Sequence, residues 1–105
     1  MKFVVKEDRI VLFDANKEIG EIVFPMFDEN IRVINRTYVD PNYRSGGLAS
    51  KLVQKAYEHF KSRNEKVVAT CPYVVRWFNR YPEKQDIILQ EVQEGLGEAC
   101  ALSWH

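Results

Sequence analysis

The sequence is short of cysteine, histidine and proline, and it has no excess charge of either sign. Two cysteines in 105 residues, Cys71 and Cys100, are too few for a disulfide framework. Their scarcity makes a reducing, intracellular setting the default. The two histidines, His59 and His105, have no partners at metal-ligand spacing, so no metal site is expected. Fifteen basic residues balance fifteen acidic ones. Total charge therefore gives no support to a nucleic-acid or membrane-surface partner. No apolar run approaches the roughly 18 residues of a membrane span. The opening "MKFVVKEDRI" alternates and carries charge too early for a signal peptide. No internal repeat, linker or low-complexity segment is visible.

Hydrophobic residues make up 46% of the chain and charged residues 29%, the balance of a globular domain. The length suits one domain. Residues 1–90 carry patterned elements and form that domain, while 91–105 have no clear period and read as a docked tail, a helix or a disordered end. Phe3 to Val5, Ile10 to Phe13 and Ile19 to Phe24 read as strands, separated by turns at "EDR" and around Asp14 to Lys17. Pro25 stops the third strand, and "FDEN" reads as a turn. Ile31 to Val39 form a longer strand rich in β-branched residues. Close turns between these four strands favour an antiparallel meander.

The period then changes. Leu48, Leu52, Val53, Ala56 and Phe60 fall on one helical stripe, with Lys51, Lys55, Glu58 and Lys61 largely opposite. "KVVAT" follows as a short buried strand, so the middle of the chain is a βαβ unit whose strands pair in parallel. Pro72 fits the first turn of a second helix, and Val74, Trp77, Phe78 and Tyr81 form its apolar face. Pro82 ends it. Ile87 to Leu89 read as a final short strand. The expected class is α+β: a mixed β-sheet with an antiparallel N-terminal meander, a βαβ unit, and helices packed on the sheet.

One stretch calls for a chemical explanation. "PNYRSGGLASKLV", Pro41 to Val53, places two adjacent glycines where the first helix starts. Serine or aspartate would cap that helix better. Glycine removes side chains that would hold a ligand away from the unpaired N–H groups of the first turn, where anions bind. Arg44 adds charge, and Ala49 leaves room. A phosphate cradle and a glycine turn that merely reverses the chain both fit. A P-loop does not fit, because "GGLASK" puts Ser50 before Lys51. A dinucleotide fingerprint does not fit either, because its spaced glycines are missing.

Arg44, Gly47 and Ala49 match the R/Q-x-x-G-x-G/A motif, and the chain resembles the GNAT superfamily of acyl-CoA N-acetyltransferases. More narrowly, "RTYVDPNYRSGGLASKLV" with "KVVATCPYVVRWFNRYP" is similar to the very small, single-domain YjdJ-like members. The resemblance covers roughly Phe3 to Leu89. It implies acetyl-CoA as cosubstrate, with its pyrophosphate on the backbone N–H groups of Arg44, Ser45, Gly46, Gly47, Leu48 and Ala49. It also implies that the strands ending at Val39 and Thr70 splay apart. The pantetheine arm would enter there and pair with backbone near Tyr38 and Val39. An acceptor amine would attack the thioester directly, and the sequence holds no motif that names the acceptor. An acyl-CoA-binding module with little or no chemistry is the alternative.

Where relatives often carry a histidine before the position of Thr37, this chain has Arg36, which cannot serve as a general base. Arg36 either lies in solvent or attracts an acidic ligand. Cys71, at the end of the second parallel strand, is the candidate catalytic residue, as acid or as transient acyl acceptor. A buried inert thiol is the other reading. Tyr73 and Tyr81 are proton donors or packing residues. Arg76 and Arg80, four apart, form a solvated face or contact an acidic partner or the adenosine phosphate.

Overall fold

In the computed structural model the chain folds as a mixed α+β domain, and the structure describes residues 1–95. Strands β1 (Lys2–Val5), β2 (Arg9–Asp14) and β3 (Lys17–Val23) form an antiparallel meander. Strands β4 (Met26–Asp28), β5 (Ile31–Ile34) and β6 (Arg36–Val39) follow. A 3₁₀ turn, Pro41–Gly46, leads into helix α1 (Leu48–Ser62). Strand β7 (Lys66–Ala69), helix α2 (Pro72–Arg80), a second 3₁₀ turn (Pro82–Ile87) and the short helix α3 (Gln90–Glu94) complete the order.

Two sheets result, β1-β2-β3-β6 and β4-β5-β7. The expected long strand from Ile31 to Val39 is therefore divided at Asn35. Its first half, β5, pairs in parallel with β7, Ile31 opposite Lys66 through Ile34 opposite Ala69. Its second half, β6, pairs antiparallel with β3, Gly20 opposite Val39 through Val23 opposite Arg36. β7 stays bonded only to the first half of this segment, so β6 and β7 part. The "FDEN" segment is also different: Phe27 and Asp28 lie in β4, and the turn is at Glu29 and Asn30, with Asn30 at φ 59°. Ile87 to Leu89 form no full strand. Ile88 makes a single parallel bridge to Val67, and the Leu89 N–H donates to the Val67 carbonyl at 2.9 Å.

The apolar stripe of α1 is buried as its period requires: Leu48, Leu52, Val53, Ala56 and Phe60. They meet Ile10, Leu12, Ile22 and Phe24 from the sheet and Val74 and Phe78 from α2. Phe24 and Phe60 pack edge to face, 4.8 Å between centroids at 81°, a favoured ring geometry. Fully burying such a side chain is worth about 1.5–3 kcal/mol. Gly20 is needed for close approach, since a Cβ there would sit 2.9 Å from the Tyr38 carbonyl oxygen on β6. Beneath the turn from α1 to β7, the buried Arg32 and Glu65 side chains form an ion pair at 3.3 Å. Gln93 of α3 is fully buried and takes the place of a missing strand beside β7. Its Oε1 accepts from the Ala69 N–H at 2.7 Å, and its Nε2 donates to the Ala69 carbonyl at 2.9 Å. Part of the expected tail is thus packed. Residues 96–105, with Cys100 and His105, lie outside the described residues. Among the described residues no helix is long and apolar enough to cross a membrane.

Candidate functional site

The parting of β6 from β7 creates a slot. The last ties on that side run to the end of β5, where the Thr70 and Cys71 N–H groups reach the Ile34 carbonyl at 3.0 and 3.3 Å. Beyond that point β6 is the edge of its sheet. The Tyr38 carbonyl points toward β3. Alternation along a strand then turns the polar backbone groups of Thr37 and Val39 to the open side. A cavity of about 300 Å³ opens there, lined by Thr37, Tyr38, Val39, Arg44, Ala49 and Tyr73.

Its rim is the glycine turn. Asp40 Oδ1 caps the 3₁₀ turn by accepting from the Asn42 N–H at 2.9 Å. The Tyr43 hydroxyl donates to Asp14 Oδ2 at 2.8 Å, tying the turn to the β2–β3 connection. Gly47 then adopts φ +69°, the left-handed region, and joins the 3₁₀ turn to α1. That conformation costs a residue with a Cβ roughly 1–2 kcal/mol. A Cβ on Gly47 would meet nothing within 4 Å, so the space over it is open. Gly47 supplies no side-chain cap, and the first-turn N–H groups of α1 point outward without one. Open space, uncapped N–H groups and the positive helix end make a place for an anion.

The sequence-selected residues divide into three groups. Tyr38, Val39, Arg44 and Ala49 line the cavity together. Exposed Ser45, Gly46 and Gly47 form its rim, while the Leu48 side chain drops into the core. Cys71 is buried at 9% exposure, behind the cavity, with its Sγ 3.9 Å from Thr37 Oγ1. Arg44 Nε donates to the Val39 carbonyl at 2.8 Å, which fixes the guanidinium at the slot mouth. Arg36 lies on the opposite face from Thr37, by Glu21 Oε2 at 3.4 Å and over the Tyr38 ring at 5.3 Å.

Sequence reasoning named Tyr73, Arg76 and Arg80 but missed Ser50 and the Trp77 indole, which join them in a wall between α1 and α2. Tyr73 borders both this cavity and a second one of about 400 Å³, lined by Ser50, Tyr73, Arg76, Trp77 and Arg80. Ser50 Oγ accepts from Trp77 Nε1 at 2.9 Å and also hydrogen-bonds Tyr73. Burial pushes the Tyr73 hydroxyl above the ordinary tyrosine range, so it keeps its proton at neutral pH. These partners sit 23 and 27 residues apart, beyond any local period. The only hint was polar Ser50 beside an apolar helical stripe.

The fold has counterparts. A family model described as GCN5-related N-acetyl-transferase matches residues 2–87. A GCN5-like protein of Staphylococcus aureus is 25% identical with a TM-score of 0.68, covering 84% of this chain and 87% of its own. A Bacillus anthracis protein assigned as a streptothricin acetyltransferase, solved with acetyl coenzyme A, is 27% identical with a TM-score of 0.50, over 61% of this chain and 39% of that one. The PaiA N-acetyltransferase of Thermoplasma acidophilum, solved with coenzyme A, is 19% identical with a TM-score of 0.52, over 58% and 38%. This chain thus spans about two fifths of the length of the last two. No curated protein sequence matches it. With the family model covering most of its length, a splayed strand pair and a glycine turn opening the first helix, the chain belongs to the GCN5-related N-acetyltransferase family.

Proposed function

We propose that this protein is an acetyl-CoA-dependent N-acetyltransferase of the very small YjdJ-like type, working by direct attack of an amine on the thioester. The observation that carries the reading is the open edge of β6 leading to the uncapped, left-handed Gly47 at the start of α1. The pantetheine arm lies along Tyr38 and Val39, pairing with the outward backbone groups of the β6 edge. The pyrophosphate sits over Ser45, Gly46 and Gly47, against the N–H groups of Leu48 and Ala49, with Arg44 at its side. The reacting end then reaches Thr37 and Cys71.

There the amine nitrogen bonds to the thioester carbonyl carbon, and the carbon–sulfur bond breaks. The departing thiolate takes a proton, and the amine gives one to water. Tyr73 is the proton donor, because its phenol borders the cavity and carries its proton at neutral pH. The buried Cys71 thiol, 3.9 Å from Thr37 Oγ1, backs that end of the slot. Holding both reactants in one slot supplies most of the rate, and the proton donor adds about 10²–10⁴-fold.

The test is release of free thiol from acetyl-CoA with a small amine, a lysine peptide and a peptide with a free N-terminus. Amine-dependent release is expected with at least one acceptor class. Tight calorimetric binding of acetyl-CoA with no release for any of them would favour an acyl-CoA-binding module instead.

A further inference from the structure

We propose that Arg76 and Arg80 form a site for the 3′-phosphate of the CoA nucleotide, so that the protein selects CoA thioesters over their 3′-dephospho counterparts. This rests on the CoA reading of the slot and extends it to the neighbouring cavity.

The argument begins with a charge census. Arg9, Arg32, Arg36 and Arg63 each lie within 4.0 Å of a carboxylate oxygen. Arg44 spends its Nε on the Val39 carbonyl. Arg76 and Arg80 are exposed, and among the described residues neither has a carboxylate or carbonyl partner. They stand one helical turn apart on α2, so their guanidinium groups share one side of the helix. Both line the cavity of about 400 Å³, and no acidic side chain lines it with them.

The helix that carries them is held firmly. Val74, Val75, Trp77 and Phe78 bury its other side. The Trp77 indole donates to Ser50, in the first turn of α1, and Trp77 also packs on Tyr81 at 4.8 Å. Two arginines on an anchored helix, beside an aromatic wall, can converge on a phosphate dianion.

Position selects the ligand. Tyr73 borders both cavities, so the arginine pair adjoins the glycine turn across one aromatic side chain. A CoA molecule with its pyrophosphate on that turn has one more phosphate, a single ribose away. No other part of CoA carries concentrated negative charge there. A free phosphate offers the same chemistry, and the experiment separates the two sources.

Calorimetry at low salt compares acetyl-CoA, 3′-dephospho-acetyl-CoA and inorganic phosphate. The unmodified protein should bind acetyl-CoA at least about tenfold more tightly than the dephospho form, a typical yield of charge-assisted bonds. That ratio should shrink as salt rises. The double variant Arg76→Gln with Arg80→Gln should bring it close to one and leave the dephospho affinity nearly unchanged. Equal binding of the two thioesters by unmodified protein overturns the proposal and leaves the CoA reading intact. A full ratio retained in the double variant also overturns it. Inorganic phosphate binding as tightly as acetyl-CoA would make the pair a free-anion site and overturn it too. Failure of unmodified protein to bind either thioester overturns both readings. The first comparison needs no variant, so a misfolded mutant cannot obscure the result.

Discussion

At the scale of single residues, Gly47 and Cys71 separate backbone need from chemistry. Gly47→Ala has room for its methyl group, but only in a left-handed conformation. We expect a stability loss of about 1–2 kcal/mol in urea unfolding. Acetyl-CoA affinity should fall by a larger factor, because the methyl occupies the anion's space. Unchanged affinity in the folded variant would remove the cradle. Tyr73→Phe keeps the ring and deletes the proton. Turnover should drop on the order of 10²-fold, with affinity for acetyl-CoA nearly constant. Cys71→Ala should cost roughly 1 kcal/mol of stability, as a buried small truncation does, and lower turnover of the folded fraction less than tenfold. A hundredfold loss there would transfer the proton role, or a covalent one, from Tyr73 to Cys71.

Elements are joined at the far end of the domain by charge. Arg32 on β5 meets Glu65 just before β7, and Arg63 adds a second contact to Glu65 at 3.1 Å. Glu65→Gln leaves the buried Arg32 charge without its counter-ion, and we expect a loss of about 3–5 kcal/mol. Replacing both, Arg32→Met with Glu65→Leu, should recover most of it, since well-packed apolar pairs substitute for buried ion pairs. Urea titration of the three proteins checks this. His59 of α1 packs near Phe24 and Phe60 at 5.9 and 5.8 Å. Burial, aided by Arg63 and Arg32 and opposed by Glu65, lowers its pKa below 6.5. Between the folded and unfolded pKa values the unfolded chain binds more protons, so stability rises with pH there. Acidification through 6.5 should therefore lower the melting temperature. His59→Gln should show a smaller fall between pH 7.5 and 5.5 than the unmodified protein. Equal falls would assign the effect to other groups.

For the whole molecule, α3 carries the packed body past residue 90. Gln93 gives the Ala69 N–H and carbonyl the partners that a further strand would otherwise supply. Ala69 lies two residues before Cys71, so α3 supports the strand that ends at the slot. Gln93→Ala leaves two buried backbone groups unpaired, at about 1–3 kcal/mol for each such group. We expect a chain ended at Leu89 to lose a similar amount, which equilibrium unfolding of the two proteins would measure. Matching losses would place the edge of the folded unit beyond residue 90.

Much of this architecture was legible from one dimension because it rests on local rules. The stripe Leu48, Leu52, Val53, Ala56 and Phe60 is a 3.6-residue period, and all five are buried. Pro72 and Pro82 bracket the second helix because proline opens a first turn and cannot continue one. Gly47 marked the helix start because glycine adopts φ +69° without the cost a Cβ brings. Other features had no local signature. The division of the Ile31–Val39 strand follows from its partners, since β7 pairs only with its first half and β3 only with its second, and both are distant segments. Ser50, Tyr73 and Trp77 converge only when α1 and α2 pack. Gln93 reads as a polar tail residue until Ala69 is beside it. Sequence period and turn chemistry determined the elements and the glycine turn, because both act within a few residues. Tertiary structure alone decided the slot, the arginine cavity and the docking of α3, because each is made by groups that meet only after the chain has folded.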